Sequence, residues 1–198
     1  MKLSVLGAGA WGTALAIHLS KSHPTKLWAR NSGHVSGMKK AQSNPLYLGD
    51  FKFPSLLEIT DDFDEALSGI DLIVCAVPTS GFRQILKSIN QINKSTPVIW
   101  ANKGLEQGSA KLPHEIALEE LGDSKKTSRH WGVVSGPSFA AELVRDLPTA
   151  LTLATTSKET TKFAANIFHH NNMRVYTSPD VVGVSVGGAL KNVIAIAS

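Results

Sequence analysis

The chain has 198 residues, of which 42% are hydrophobic and 18% charged. That balance excludes a disordered polymer and leaves room for one sizeable domain, or one domain and part of another. The formal charge of +4 is spread thinly, with Lys39–Lys40 and Lys125–Lys126 as pairs rather than a patch, so no nucleic-acid partner is expected. Cys75 is the single cysteine; an intrachain disulfide is excluded, and its apolar surroundings read as a buried strand of a protein in the reducing cytoplasm. The first residues carry no secretory leader pattern, no apolar run reaches the ~20 residues of a membrane span, and no metal-ligand set is read.

Residues 3–6 form a short apolar run. Gly7, Gly9 and Gly12 follow in G-x-G-x-x-G spacing, and Ala14, Leu15, Ala16 and Leu19 then continue as a small-residue helix. Strand, glycine turn and helix form the context in which this spacing binds a dinucleotide. The first glycine permits the tight turn, the second a close approach of backbone to a diphosphate, the third close packing of helix on strand. The first-turn N–H groups of the helix then face the phosphates. An incidental strand–turn–helix is the plainer alternative, and three glycines at these offsets argue against it.

Residues 26–29 read as the second strand. Its end carries Arg30 and no acidic residue, which favours NADPH through its ribose 2′-phosphate, or at least admits it, the plainer alternative being a solvated loop arginine. Residues 31–41 read as a polar helix and residues 43–59 as a long loop broken by Pro and Gly. Thr60, Asp61 and Asp62 offer a cap for a short helix over 64–67. Residues 70–77 are almost wholly apolar, as in a strand buried on both faces of a parallel sheet. A helix over 81–92 places Phe82, Ile85, Leu86 and Ile89 on one face. Residues 97–101 form the next strand, and Lys103 just beyond it is expected to project into a crevice at the carboxyl ends of the strands. A helix over 111–121, the polar stretch 122–129, a strand over 130–135 and a helix over 136–145 with Pro137 in its first turn complete this half. Residues 149–154 (strand), 158–169 (helix) and 173–176 (strand) follow.

The alternation predicts an α/β fold with a Rossmann-like, doubly wound, mostly parallel sheet over residues 1–179. Residues 180–198 differ: Asp180 is a candidate N-cap, and the small apolar run after it has no capping glycine, proline or polar exit. They are expected to be the first helix of a truncated, helical second domain. In that run Gly183, Gly187 and Lys191 recur every four residues, with Asn192 beside the lysine. Periodicity alone leaves two readings open, a flat floor for a ligand or close helix–helix packing.

Several motifs together resemble the bacterial NAD(P)-dependent glycerol-3-phosphate dehydrogenases: GAGAWGTALA at 7–16, LWAR at 27–30, NKGL at 102–105, SGPSFAAEL at 135–143, LPTAL at 147–151 and VGGALKNVIAI at 186–196, with the loop from Asn44 through Tyr47 and Leu48 to Pro54 and Thr60. The resemblance implies reversible hydride transfer between NADPH or NADH and dihydroxyacetone phosphate, giving sn-glycerol 3-phosphate for glycerophospholipid synthesis. It implies Lys191 and Lys103 as catalytic residues and Lys103, Gly136, Ser138, Lys191 and Asn192 as substrate contacts. Cofactor contacts are implied at Gly7, Gly9, Ala10, Trp11, Gly12, Arg30, Lys103 and Ala140. An ammonium at Lys191 suits protonation of the nascent alkoxide, and Lys103 suits stabilisation of the charge growing on the carbonyl oxygen. The family's helical second domain is missing from these residues, so this piece is expected to bind cofactor and turn over poorly, with its apolar final helix exposed or paired in a homodimer. A related 3-hydroxyacid or phosphogluconate-type dehydrogenase and a non-catalytic nucleotide-binding domain are the competing readings.

Overall fold

The computed structural model describes the backbone of residues 1–197 and the side chains of residues 1–190. Its centre is an eight-stranded sheet in the order β3-β2-β1-β4-β5-β6-β7-β8. The strands are β1 (Leu3–Leu6), β2 (Thr25–Trp28), β3 (Leu57–Thr60), β4 (Leu72–Cys75), β5 (Val98–Trp100), β6 (Trp131–Ser135), β7 (Thr149–Thr155) and β8 (Met173–Ser178). Every pairing is parallel except β6 with β7. The expected doubly wound, mostly parallel sheet is therefore present. The reversal of winding falls between β1 and β4, where open α/β sheets leave a crevice.

The helices are α1 (Ala10–Ser20), α2 (Ser32–Ala41), α3 (Phe63–Leu67), α4 (Thr79–Ile92), α5 (Pro113–Leu121), α6 (Ala140–Val144), α7 (Lys158–Phe168) and α8 (Val181–Ala197). Two apolar cores cover the two faces of the sheet. One joins α1, α2, α6 and α7 through residues such as Leu15, Leu19, Met38, Leu143 and Phe168. The other joins α3, α4 and α5 through Leu67, Phe82, Leu86, Ile89, Trp100 and Ile116. Phe82 and Ile89 are fully buried, as their spacing predicts. Residues 12–20 of α1 are buried all round, because the helix is enclosed between sheet and α6 instead of lying on the surface.

Two expectations change. Residues 43–59 are not all loop: Leu57–Thr60 add an edge strand beside β2, which four residues with exposed Glu58 among them signal weakly. Pro137 does not open a helix. Residues 136–139 stay irregular, Phe139 is extended (φ −110°, ψ 139°), and α6 begins at Ala140 with five residues. In the polar stretch before β6, Arg129 is 1% exposed, and burial holds its guanidinium down to about 10. Cys75 is buried as expected, and burial pushes its thiol up to about 12, which leaves it inert near neutrality.

One buried histidine makes the fold acid-sensitive. His18, 2% exposed, bonds through Nε2 to the Phe168 carbonyl at 3.0 Å, so Nε2 carries the proton and a second proton must enter at Nδ1. That atom is buried without a partner, near Lys21 and His170, and desolvation first of all lowers the pKa below 6.5. The unfolded chain takes up this proton below 6.5 and the folded chain does not, so stability present above 6.5 drains away as pH falls below it. The neighbouring Asp146, held low by its 2.6 Å bond to Lys21, titrates below this window. We expect the melting temperature to fall between pH 7.5 and 5.5, and His18→Gln, which keeps a donor for Phe168, to flatten that slope. An equal slope in both proteins would contradict the assignment.

Candidate active site

The carboxyl ends of β1, β4 and β5 are level, because Leu6 pairs with Cys75 and Cys75 with Trp100. The chain leaves all three strands at the same height, and the loops that follow wall a cleft of about 1200 Å³. Gly7, Gly9, Ala10, Trp11 and Gly12 form one wall, Arg30 and His34 one end, and Lys103, Ser138 and Ala140 the other. Gly136 is reached through Lys103, whose Nζ donates to its carbonyl at 3.0 Å. Lys191 and Asn192 lie outside the described side chains.

The glycine turn has a steric basis at two positions. Gly7 has φ +112°, and a Cβ built on Gly12 falls 1.9 Å from the Gly7 carbonyl oxygen. α1 can therefore sit this close to β1 only without a side chain at 12. α1 has no side-chain cap at Gly9 and no acid in its first turn, so its first N–H groups are donors without an intrahelical acceptor. Among the described residues that line the cleft there is no Asp or Glu. A cleft with a cation toward each end and uncapped N–H groups between them is electrostatically suited to an anionic ligand.

Several contributors escaped the sequence reading. Asn44 is fully buried; its Nδ2 donates to the Ala8 carbonyl (3.1 Å) and to Thr13 Oγ1 (2.8 Å). Its Oδ1 faces His34 Nε2 at 3.0 Å, which makes His34 the Nε2-protonated tautomer, with its ring edge-on to Tyr47 at 5.7 Å. The Asn44–Pro45 pair was the available signal, as such dipeptides mark turns. Thr79 Oγ1 donates to the Lys103 carbonyl at 3.0 Å and receives Asn102 Nδ2 at 3.4 Å. Asn102 Oδ1 is then buried with no protein partner, an acceptor on the cleft wall for a ligand N–H.

On α8 the buried glycine is a third one. Gly183 and Gly187 are exposed and Gly188 is buried. A Cβ on Gly188 would stand 2.8 Å from Ser135 Oγ and 3.7 Å from Lys103 Cγ. Gly188 is what lets α8 approach the end of β6.

The family model of the NAD-dependent glycerol-3-phosphate dehydrogenase N-terminus matches residues 2–161. The chain belongs to this family. A glycerol-3-phosphate dehydrogenase [NAD(P)+] of Methylobacillus flagellatus is 58% identical over 198 residues, all of this chain and 59% of the relative. The one from Aromatoleum aromaticum is 44% identical over the same share. The crystal structure of glycerol-3-phosphate dehydrogenase from Coxiella burnetii superposes with a TM-score of 0.91 at 35% identity, covering 99% of this chain and 59% of that one. The chain thus spans 59% of the length of the curated relatives it matches. As a member of this family it presents the N-terminal part, with the cleft at the reversal of strand order. Among the described residues no helix is long and apolar enough to cross a membrane.

Proposed function

We propose that the whole protein interconverts dihydroxyacetone phosphate and sn-glycerol 3-phosphate with NADPH or NADH, in the cytoplasm and as a homodimer, and so supplies glycerophospholipid synthesis. The observation that carries this reading is the cleft, whose described lining holds no acid, with the uncapped start of α1 between Arg30 and Lys103. Both proposed ligands are phosphorylated, and one of them is long.

The residues fit a nicotinamide dinucleotide. The turn at Gly7, Gly9 and Gly12 and the N–H groups of Ala10, Trp11 and Gly12 would hold the diphosphate. Arg30 would take a 2′-phosphate, and Asn102 Oδ1, orphaned and buried, would accept an N–H of the nicotinamide end, with Ala140 nearby on the cleft wall. The bound cofactor supplies the hydride. The rest is done by side chains. Lys103 opposes the negative charge growing on the substrate oxygen. Ser138 and the Gly136 segment bind the substrate; this role now rests on the loop itself, since no helix begins at Pro137. Lys191 Nζ gives a proton to the alkoxide and, as the amine, takes it back in the reverse direction. α8 is read as the first helix of a substrate domain covering residues 180–198, following the dinucleotide-binding domain of residues 1–179.

The test mixes the purified full-length protein with NADPH and dihydroxyacetone phosphate and follows the reduced-nicotinamide absorbance. We expect loss of absorbance that depends on this substrate, and in Lys191→Met a single-turnover rate lower by ~10²–10⁴-fold with NADPH binding intact. Turnover of a 3-hydroxyacid or of phosphogluconate instead would favour the related dehydrogenases. Tight nucleotide binding without any turnover would favour a nucleotide-binding module.

A further inference from the structure

We infer that Arg83 and Glu106 form a clamp that positions Lys103 in the cleft. This inference rests on the proposed role of Lys103 as a substrate contact. After β5 the chain runs without regular structure until α5 begins at Pro113. Lys103 stands at the root of that long loop, and Gly104, with φ +106°, turns the chain directly after it. A loop of this length does not hold a lysine in place unless something fixes it.

Residues of α4 supply the fixing. Thr79, its first residue, bonds the Lys103 carbonyl. Arg83, one turn later on the same helical face, lays its fork over the Glu106 carboxylate, Nε to Oε1 and Nη2 to Oε2, both at 2.8 Å. Its Nη1 reaches Glu119 at 2.7 Å and Glu120 at 2.5 Å on α5. Lys87, another turn on, approaches Glu120 at 3.9 Å. Glu106 in turn closes its own loop: its N–H donates to the Lys111 carbonyl and its carbonyl accepts from Ala110 N–H, both at 2.9 Å, while Ser109 Oγ donates to Oε2 at 2.6 Å. The loop is thus pinned at Lys103 and again three residues further along, by two side chains of one helix. The start of that helix, Pro78 to Gly81, lines the same cleft. The clamp therefore makes the α4 wall and the Lys103 wall one body.

Its value lies in geometry more than in stability. Arg83 and Glu106 side chains are 25% and 15% exposed, and ion pairs reached by solvent add little to global stability. A planar, two-point bond fixes distance and angle together, which a single ammonium contact cannot do.

The experiment compares the full-length wild type with Arg83→Leu, Arg83→Lys and Glu106→Gln. It measures hydrogen exchange over residues 104–112, the rate at which Lys103 is acetylated by a dilute amine-reactive ester, the dissociation constant of NADPH, and kcat and KM for dihydroxyacetone phosphate. In Arg83→Leu and Glu106→Gln we expect faster exchange in the loop with α4 and α5 still protected, and a changed Lys103 acetylation rate. We also expect KM raised and kcat lowered to give a loss of ~10-fold or more in kcat/KM, with NADPH affinity within about twofold. Arg83→Lys should restore only part of the loss. Unchanged loop exchange would overturn the clamp. A loosened loop with wild-type kcat/KM would overturn its positioning role. If the wild type does not act on dihydroxyacetone phosphate, the functional reading fails by itself, and exchange and acetylation still decide whether the clamp holds Lys103.

Discussion

Gly12→Ala is expected to abolish useful NADPH binding and to lower the melting temperature sharply. The added Cβ would stand 1.9 Å from the Gly7 carbonyl oxygen and 3.0 Å from Ala76 Cβ. Neither neighbour is the end of a flexible side chain, so α1 as a whole must move away from β1 and β4. α1 is buried along its length, and a shift there disturbs the core shared by Leu15, Leu19, Leu3 and Val5. Overpacking of this kind costs about 3 kcal/mol, equivalent in a chain of this size to a fall of roughly 6–12 °C. Displacing the first-turn N–H groups also removes the diphosphate site, for which we expect a loss of ~100-fold in NADPH affinity, about 2.7 kcal/mol. Gly9→Ala separates the two effects. Gly9 has φ −73°, which an alanine adopts, and nothing stands within 4 Å of its Cβ position. That variant should keep its melting temperature and still lose affinity, because the methyl occupies the approach of the phosphate. Thermal melts and nicotinamide-fluorescence titrations of both variants check this, and wild-type affinity in Gly12→Ala would refute it.

Much of the fold was legible because its signals are local. The buried parallel strands β4 and β5 read as continuous apolar runs, and α4 as a stripe at Phe82, Leu86 and Ile89. The glycine turn marked one wall of the cleft, since its requirement, absence of Cβ, is written directly in residue type. What stayed hidden depends on pairs far apart in the chain. Asn44 is an unremarkable polar loop residue until Ala8, Thr13 and His34 surround it. Arg83 reads as a solvated helix residue until Glu106, Glu119 and Glu120 converge on it. On α8 three glycines fall within six positions, 183, 187 and 188, and only contact with Ser135 marks Gly188 as the one that faces β6. Pro137 misled for the opposite reason: its fixed φ suits a helix start, but the extended backbone of Phe139 delays the helix to Ala140.

Lys103→Met is expected to cripple the chemistry while sparing the fold. The methionine keeps most of the stem that packs near Gly188 and removes only the ammonium. In the folded protein that ammonium donates to the Gly136 carbonyl at 3.0 Å, so its loss leaves one acceptor of the 136–139 segment without this donor, a cost of about 1 kcal/mol. The fold should survive. Catalysis should not, because the described residues that line the cleft include no acid and Lys103 is the described cation at the proposed substrate end. Removing a positioned donor to a developing oxyanion lowers kcat by ~10²–10³-fold. NADPH affinity should change far less, since Arg30 and the α1 turn bind the distant end of that molecule. Salt gives a second, independent reading. If Lys103 attracts a phosphorylated substrate, KM in the wild type rises with ionic strength, and that rise should shrink in Lys103→Met. Single-turnover reduction at two salt concentrations measures both effects, and a variant with wild-type rate and an unchanged salt slope would remove Lys103 from the mechanism while leaving the nucleotide site intact.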